Sequence, residues 1–191
     1  MKTLTLESSL IAAALKGDVT AAAAMLDNLR DTGEGALADI LTHRRKRDFG
    51  PLERWAGAIA GMLQEHRKAL ELHQDLKNID LAKVQVQTTD RHIERKQQAA
   101  LARKLFKSLG IPHVGFRTPN YSMAHVVDVT MPMRQDYVPC NDFTPNYLCP
   151  VRSANRAALQ TVQKILATAF PNHDDRSDAQ SDCFDSCWSI N

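Results

Sequence analysis

The chain has 191 residues, 43% of them hydrophobic, enough for one generous domain or two small ones with a sizeable core. Its formal charge of +2 conceals an asymmetry: residues 1–110 carry 18 Lys/Arg against 14 Asp/Glu, and residues 111–191 carry 6 against 8. Proteins that neutralise many phosphates show a stronger basic excess, and the N-terminus has neither a signal peptide nor a membrane-length apolar run, so a soluble cytoplasmic protein is expected.

Successive helices fill the first hundred residues. An apolar stripe at Leu10, Ile11, Ala14 and Leu15 stops at Gly17-Asp18, and Asp18 is placed to cap a second helix with the stripe Val19, Ala22, Ala23, Leu26 and Leu29. Alanines on both segments allow close approach in an antiparallel hairpin. A third helix is expected over 34–47, ended by Asp48-Phe49-Gly50-Pro51, with Pro51 opening the next. That helix, the longest, runs to about Asn78 on the stripe Leu52, Trp55, Ile59, Met62, Leu63, His66, Leu70 and His73. Residues 79–88 read as either more helix or an extended connector. Thr89 or Asp90 then caps a helix to Leu109, with Ile93, Ala100, Leu101, Leu105 and Phe106 inward and Gly110 as its C′ residue.

Seven of the eight prolines follow Gly110, so long helices give way to short elements. Residues 114–118 and 124–131 alternate as two strands around Pro119-Asn120-Tyr121-Ser122, an antiparallel hairpin. After a proline-spaced loop comes a helix capped by Ser153, with the stripe Ala158, Val162, Ile165 and Leu166, and a last short strand within 183–190. The fold class expected is therefore α+β: an N-terminal helical bundle over residues 1–88, followed over 89–191 by a small antiparallel sheet packed against one or two helices.

In this second part, Phe116-Arg117-Thr118, Tyr121-Ser122, Val127-Asp128-Val129, Asp175-Arg176-Ser177-Asp178 and Asp182-Cys183-Phe184-Asp185 stand in a fixed order. That order resembles a domain family associated with the large polyvalent proteins of phages and conjugative elements, over about 90 residues from Leu101 onward. The chain departs from the family pattern at Met123-Ala124, where glycines are usual, and at Cys183, where a tyrosine is usual. The resemblance implies a mobile-element origin, and small stand-alone proteins of such elements often inhibit host defence, the anti-CRISPR proteins among them. It transfers no catalytic residue.

The densest charge run, Arg44, Arg45, Lys46 and Arg47 after His43, sits at an expected helix C-terminus, where cations meet the dipole favourably. Capping and solvation account for it; an acidic protein surface and nucleic acid are the alternatives. Arg91 with Arg95 and Arg103 with Lys107 are like-charge pairs four apart, which repel mildly on a helix and hint at an anionic partner; a solvated face is the alternative. Tyr121, with other large aromatics, is a candidate interface anchor. The five aspartates between Asp174 and Asp185 read as turn and capping groups or as a mimic of phosphate spacing. Cys183 and Cys187, with His173 and either Cys140 or Cys149, have an allowed zinc spacing but lack a second Cys-x2-Cys or His-x3-His half, so no metal is expected and the cysteines read as thiols. His92-Ile93-Glu94 has the His-x-Glu of zinc deaminases without their Pro-Cys-x2-Cys. With no phosphate loop, nucleophile elbow or His-Glu-x2-His helix, no cofactor and no catalysis are expected. The expected function is a non-enzymatic inhibitor that binds subunits of a host defence complex, such as a CRISPR effector complex. The alternative is a nucleic-acid-binding accessory protein.

Overall fold

The computed structural model describes residues 7–35, 37–39, 41–42, 50–119, 126–134, 149–175 and 187–190. They form an α+β protein in two units, one within Met1–Lys68 and one within Ala69–Arg134 and Asn146–Asn191. The division read from the sequence at residue 88 falls inside the second unit, because Leu72 and Leu76 near the end of a long helix pack into that unit's core. No helix among the described residues is long and apolar enough to cross a membrane.

In the first unit, α1 (Ser8–Leu15) and α2 (Val19–Asp31) form the expected hairpin. Asp18 caps α2, its carboxylate accepting from the Ala21 N–H at 3.0 Å. The buried stripe is Ile11 and Ala14 on α1 and Ala21, Ala22, Met25, Leu26 and Leu29 on α2. Leu15 is 45% exposed and Ala23 faces solvent, so the expected stripe was rotated by about one position at these points. Residues 35, 37–39 and 41–42 are helical, with Leu37, Ala38 and Leu41 buried; the rest of the third expected helix lies outside the described residues. The long helix α3 (Leu52–Lys77) starts one residue after Pro51, whose carbonyl accepts from the Trp55 N–H. Trp55, Ala56, Ile59, Ala60 and Leu63 complete the first core, while Leu52, expected inside, is 44% exposed.

In the second unit, a 3₁₀ turn at Leu81–Lys83 leads into an extended connector, with Val84 buried and the Gln87 N–H bonded to the Ala169 carbonyl. Helix α4 (Arg95–Ser108) starts later than expected. Thr88 Oγ1 accepts from the Asp90 N–H and Asp90 Oδ1 from the His92 N–H, so these side chains build turns of their own instead of capping the helix. The other end is as read: Gly110 has φ +74°, its N–H bonds the Lys107 carbonyl, and the Ile111 N–H bonds the Phe106 carbonyl.

Strands β1 (Gly115–Arg117) and β2 (Val126–Thr130) pair antiparallel, Phe116 opposite Val129. A Cβ on Gly115 would stand 2.5 Å from Thr130 Oγ1, so a larger residue there requires the Thr130 side chain to shift. Helix α5 (Pro150–Ala169) begins with Pro150 in its first turn and Cys149 as N-cap, and Ser153, expected as the cap, lies within it. The last strand, β3 (Cys187–Ile190), lies next to β2 and parallel to it, giving the order β1-β2-β3. The sheet is therefore mixed, not purely antiparallel as expected: a connection holding α5 returns the chain to run beside β2 in the same direction. Phe116, Val127, Val129 and Trp188 enter one core with Phe106, Ile111, Val162, Ile165, Leu166 and Phe170. Burying each such side chain is worth roughly 1.5–3 kcal/mol, so this layer dominates the unit's stability. Asn155 clamps the chain after β2 to α5, accepting from the Arg134 N–H and donating to its carbonyl.

Candidate functional site

Helix α4 reads RKQQAALARKLFKS, with five cations and no acid. At 100° per residue, Lys96, Arg103 and Lys107 lie along one face with Lys104 at its flank, and all four are exposed. The opposite face buries Gln98, Ala99, Ala102, Leu105 and Phe106 against the sheet. The result is a basic stripe about 16 Å long, at about 1.5 Å per residue, on a helix held by a packed core. Ala100, expected inward, belongs to the exposed side.

Of the residues singled out from the sequence, three arginines meet main-chain carbonyls. Arg103 Nη2 donates to the Phe116 carbonyl, Arg95 Nη1 to that of Pro119 at 3.5 Å, and Arg91 Nε to that of Asn172 at 3.4 Å. Phe116 is on the edge strand β1, so the Arg103 guanidinium covers an otherwise open carbonyl and places a charge where another strand would pair. Arg91 precedes the helix, so Arg91 and Arg95 are not a helical like-charge pair. Lys107 is exposed in the last turn, where the dipole favours it. Arg44, Arg45, Lys46, Arg47 and Tyr121 lie outside the described residues. Lys96 and Lys104 were missed by sequence reasoning. Their signal is the helical spacing of 96, 103 and 107, which outlines the face once the helix itself is recognised.

On β2, Asp128 stands opposite Arg117 of β1 and, on its other side, opposite Ser189 of β3. Burial pushes its carboxyl above the ordinary value of 3.8, and the Arg117 charge pulls it part of the way back. A raised carboxyl means the folded chain holds this proton more tightly than the unfolded one. Its ionisation therefore costs stability as pH rises from the ordinary carboxylate range through the raised value. Asp128→Asn should melt higher than the parent at pH 7, and the difference should vanish once the pH is low enough to protonate the parent; thermal melts across that range check it.

Cys149 is disulfide-bonded, which corrects the expectation of free thiols and removes it from any thiolate ligand set. Its partner lies outside the described side chains. Among the described residues no group of three or more His, Cys, Asp or Glu is placed to hold a metal ion. His66 and His73, both on the apolar stripe expected for the long helix, are buried. Ile93 of the His-x-Glu segment is buried too, as a core residue would be. Comparison with family models, with curated proteins and with solved structures finds no match to this chain.

Proposed function

We propose that this protein works by binding and not by catalysis, as a mobile-element-encoded inhibitor that occupies or separates subunits of a host defence complex in the cytoplasm, the CRISPR effector complex being the first target to test. The basic face of α4 carries the binding part of this reading: Lys96, Arg103, Lys104 and Lys107 are exposed together with no acid among them. A patch of one sign on a rigid helix suits an acidic surface, for which it sets encounter rate and partner choice more than final affinity. The inhibitor part rests on the motif order from Phe116 to Asp185 and its resemblance to a mobile-element domain family. Cytoplasmic action is where the Cys149 disulfide bears against the reading, since such bonds are rare in that compartment.

The test is affinity capture from lysate of a host cell that carries the defence system, with the parent chain and a Lys96→Glu/Lys104→Glu/Lys107→Glu variant that leaves Arg103 on its carbonyl. The parent should recover a defence subunit, and the variant should recover it about tenfold less, the scale on which charge complementarity changes association. Recovery of no defence component by the parent would sink the reading.

The same stripe favours a second reading, binding to DNA or RNA through phosphates. It predicts that log K falls with log salt at a slope of about −0.9 per phosphate neutralised on duplex DNA. No binding at low salt would remove it.

A further inference from the structure

Within the second unit, α3 and α4 both end at an open groove of about 540 Å³. Its walls are Asp75 and Asn78 at the end of α3, Asp80, Lys83, Gln85 and Gln87 of the connector, and the last turn of α4. Leu105, Leu109 and Ile79 supply apolar wall. The sign of the groove follows from three facts. Two helix C-termini, each the negative end of a dipole, meet there. Asp75 lies in the last turn of α3, where the dipole opposes a carboxylate, and its half-buried side chain has no hydrogen-bond or ion-pair partner among the described residues. Lys83, the one cation among the described residues that line the groove, stands 3.7 Å from Asp80 with 79% of its side chain exposed, so it pairs with Asp80 and not Asp75.

The chemistry of the wall narrows the ligand. A metal ion wants several oxygen ligands converging at short range, and here one free carboxylate faces amides and apolar surface. A polyamine needs carboxylates for each of its charges, and Asp80 is already engaged by Lys83 and by the Ala82 N–H. An alkyl chain ending in one cation, with backbone on either side, fits all of it: the stem lies along leucine side chains, the cation meets Asp75, and Gln85, Gln87 and Asn78 serve peptide groups. We propose that this groove takes a basic peptide segment of a partner protein, with an arginine or lysine side chain paired to Asp75. The inference goes beyond the reading of the α4 stripe, whose partner is anionic, and does not depend on it.

The experiment is an amide NMR titration of the full chain with acetyl-Ala-Arg-Ala-amide, acetyl-Ala-Glu-Ala-amide and spermidine. The arginine peptide should give saturable shifts at Lys83, Gln85, Ser108, Leu109 and Gly110, and the glutamate peptide none. Asp75→Asn should weaken the arginine peptide by about tenfold or more, the loss of one charge-assisted hydrogen bond, whereas Asp75→Glu keeps most of the affinity. Shifts that do not saturate, or that Asp75→Asn leaves unchanged, overturn the site. Spermidine binding more tightly than the peptide overturns the occupant.

Discussion

Replacing Trp188 by alanine should unfold the second unit under conditions in which the first still stands. Trp188 is 2% exposed on a strand of four residues, and its ring meets Phe116 edge-on at 5.9 Å and Phe170 at 5.0 Å. Through Phe116 the cluster continues to Phe106 at 5.0 Å, so one indole joins β3 to β1, α4 and the residue that ends α5. Truncating a buried aromatic of this size costs about 3–5 kcal/mol, a large share of the roughly 5–15 kcal/mol by which domains are stable. Beyond this cluster the strand is held, among the described residues, by its pairing with β2 and by a single parallel bridge between Trp188 and Asp175, in which the Trp188 N–H donates to the Asp174 carbonyl. None of these groups belongs to the first core, which is built from α1, α2, Leu37, Ala38, Leu41 and α3 up to Leu63. Hydrogen exchange along α3 gives the decisive reading: in Trp188→Ala, amides after Lys68 should lose protection while those near Ile59 and Leu63 keep it. Uniform loss along α3 would show that the two cores do not stand apart. Trp188→Phe, which keeps a ring in the cluster, should lose less.

How much of this was legible in the sequence depends on how local the cause is. The Asp18 cap and the Gly110 C′ residue were readable because each is decided by neighbours within one turn. The β1-β2 hairpin was readable from alternation alone, Phe116, Val127 and Val129 going in while Arg117 and Asp128 face the other way. Leu15, Ala23 and Ala100 were placed inside and lie outside, because a run of alanines fits several rotations of a helix and only the partner surface chooses between them. Gln98 is the converse: fully buried on α4 with neither amide atom bonded among the described residues, it occupies a position that polarity assigns to solvent. The start of α4 was misplaced because Thr88 and Asp90 spend their side chains on turns, a use that competes with capping and looks the same in sequence. Non-local facts were out of reach. The parallel pairing of β2 with β3 depends on where a distant segment returns. Of the candidate site, Arg103 and Lys107 were found from a repulsive pair, and the cost that drew notice to Arg103 is offset by its bond to the Phe116 carbonyl.

Reducing the disulfide at Cys149 should lower stability by about 2–4 kcal/mol, the usual worth of a native bridge. Cys149 is 1% exposed at the N-cap of α5, the helix that carries Ala158, Val162, Ile165 and Leu166 into the second core. The bond therefore fixes the entry of a helix that shares one core with the sheet. With four cysteines in the chain, its partner is Cys140, Cys183 or Cys187. The first choice closes a short local loop; either of the others encloses α5 entirely and restricts the unfolded chain more, which places the loss at the upper end of the range. Peptide mapping without reductant identifies the partner, and denaturant melts with and without dithiothreitol measure the loss; Cys149→Ser should match the reduced protein. The result bears on where the protein works. In a reducing cytoplasm the chain would act in its weaker form, so target binding must survive reduction. If capture of the target is equal with and without reductant, the bridge is a reserve of stability and the proposed cytoplasmic action stands. If reduction abolishes capture while the chain stays folded, the binding form is the oxidised one and action in the cytoplasm is excluded.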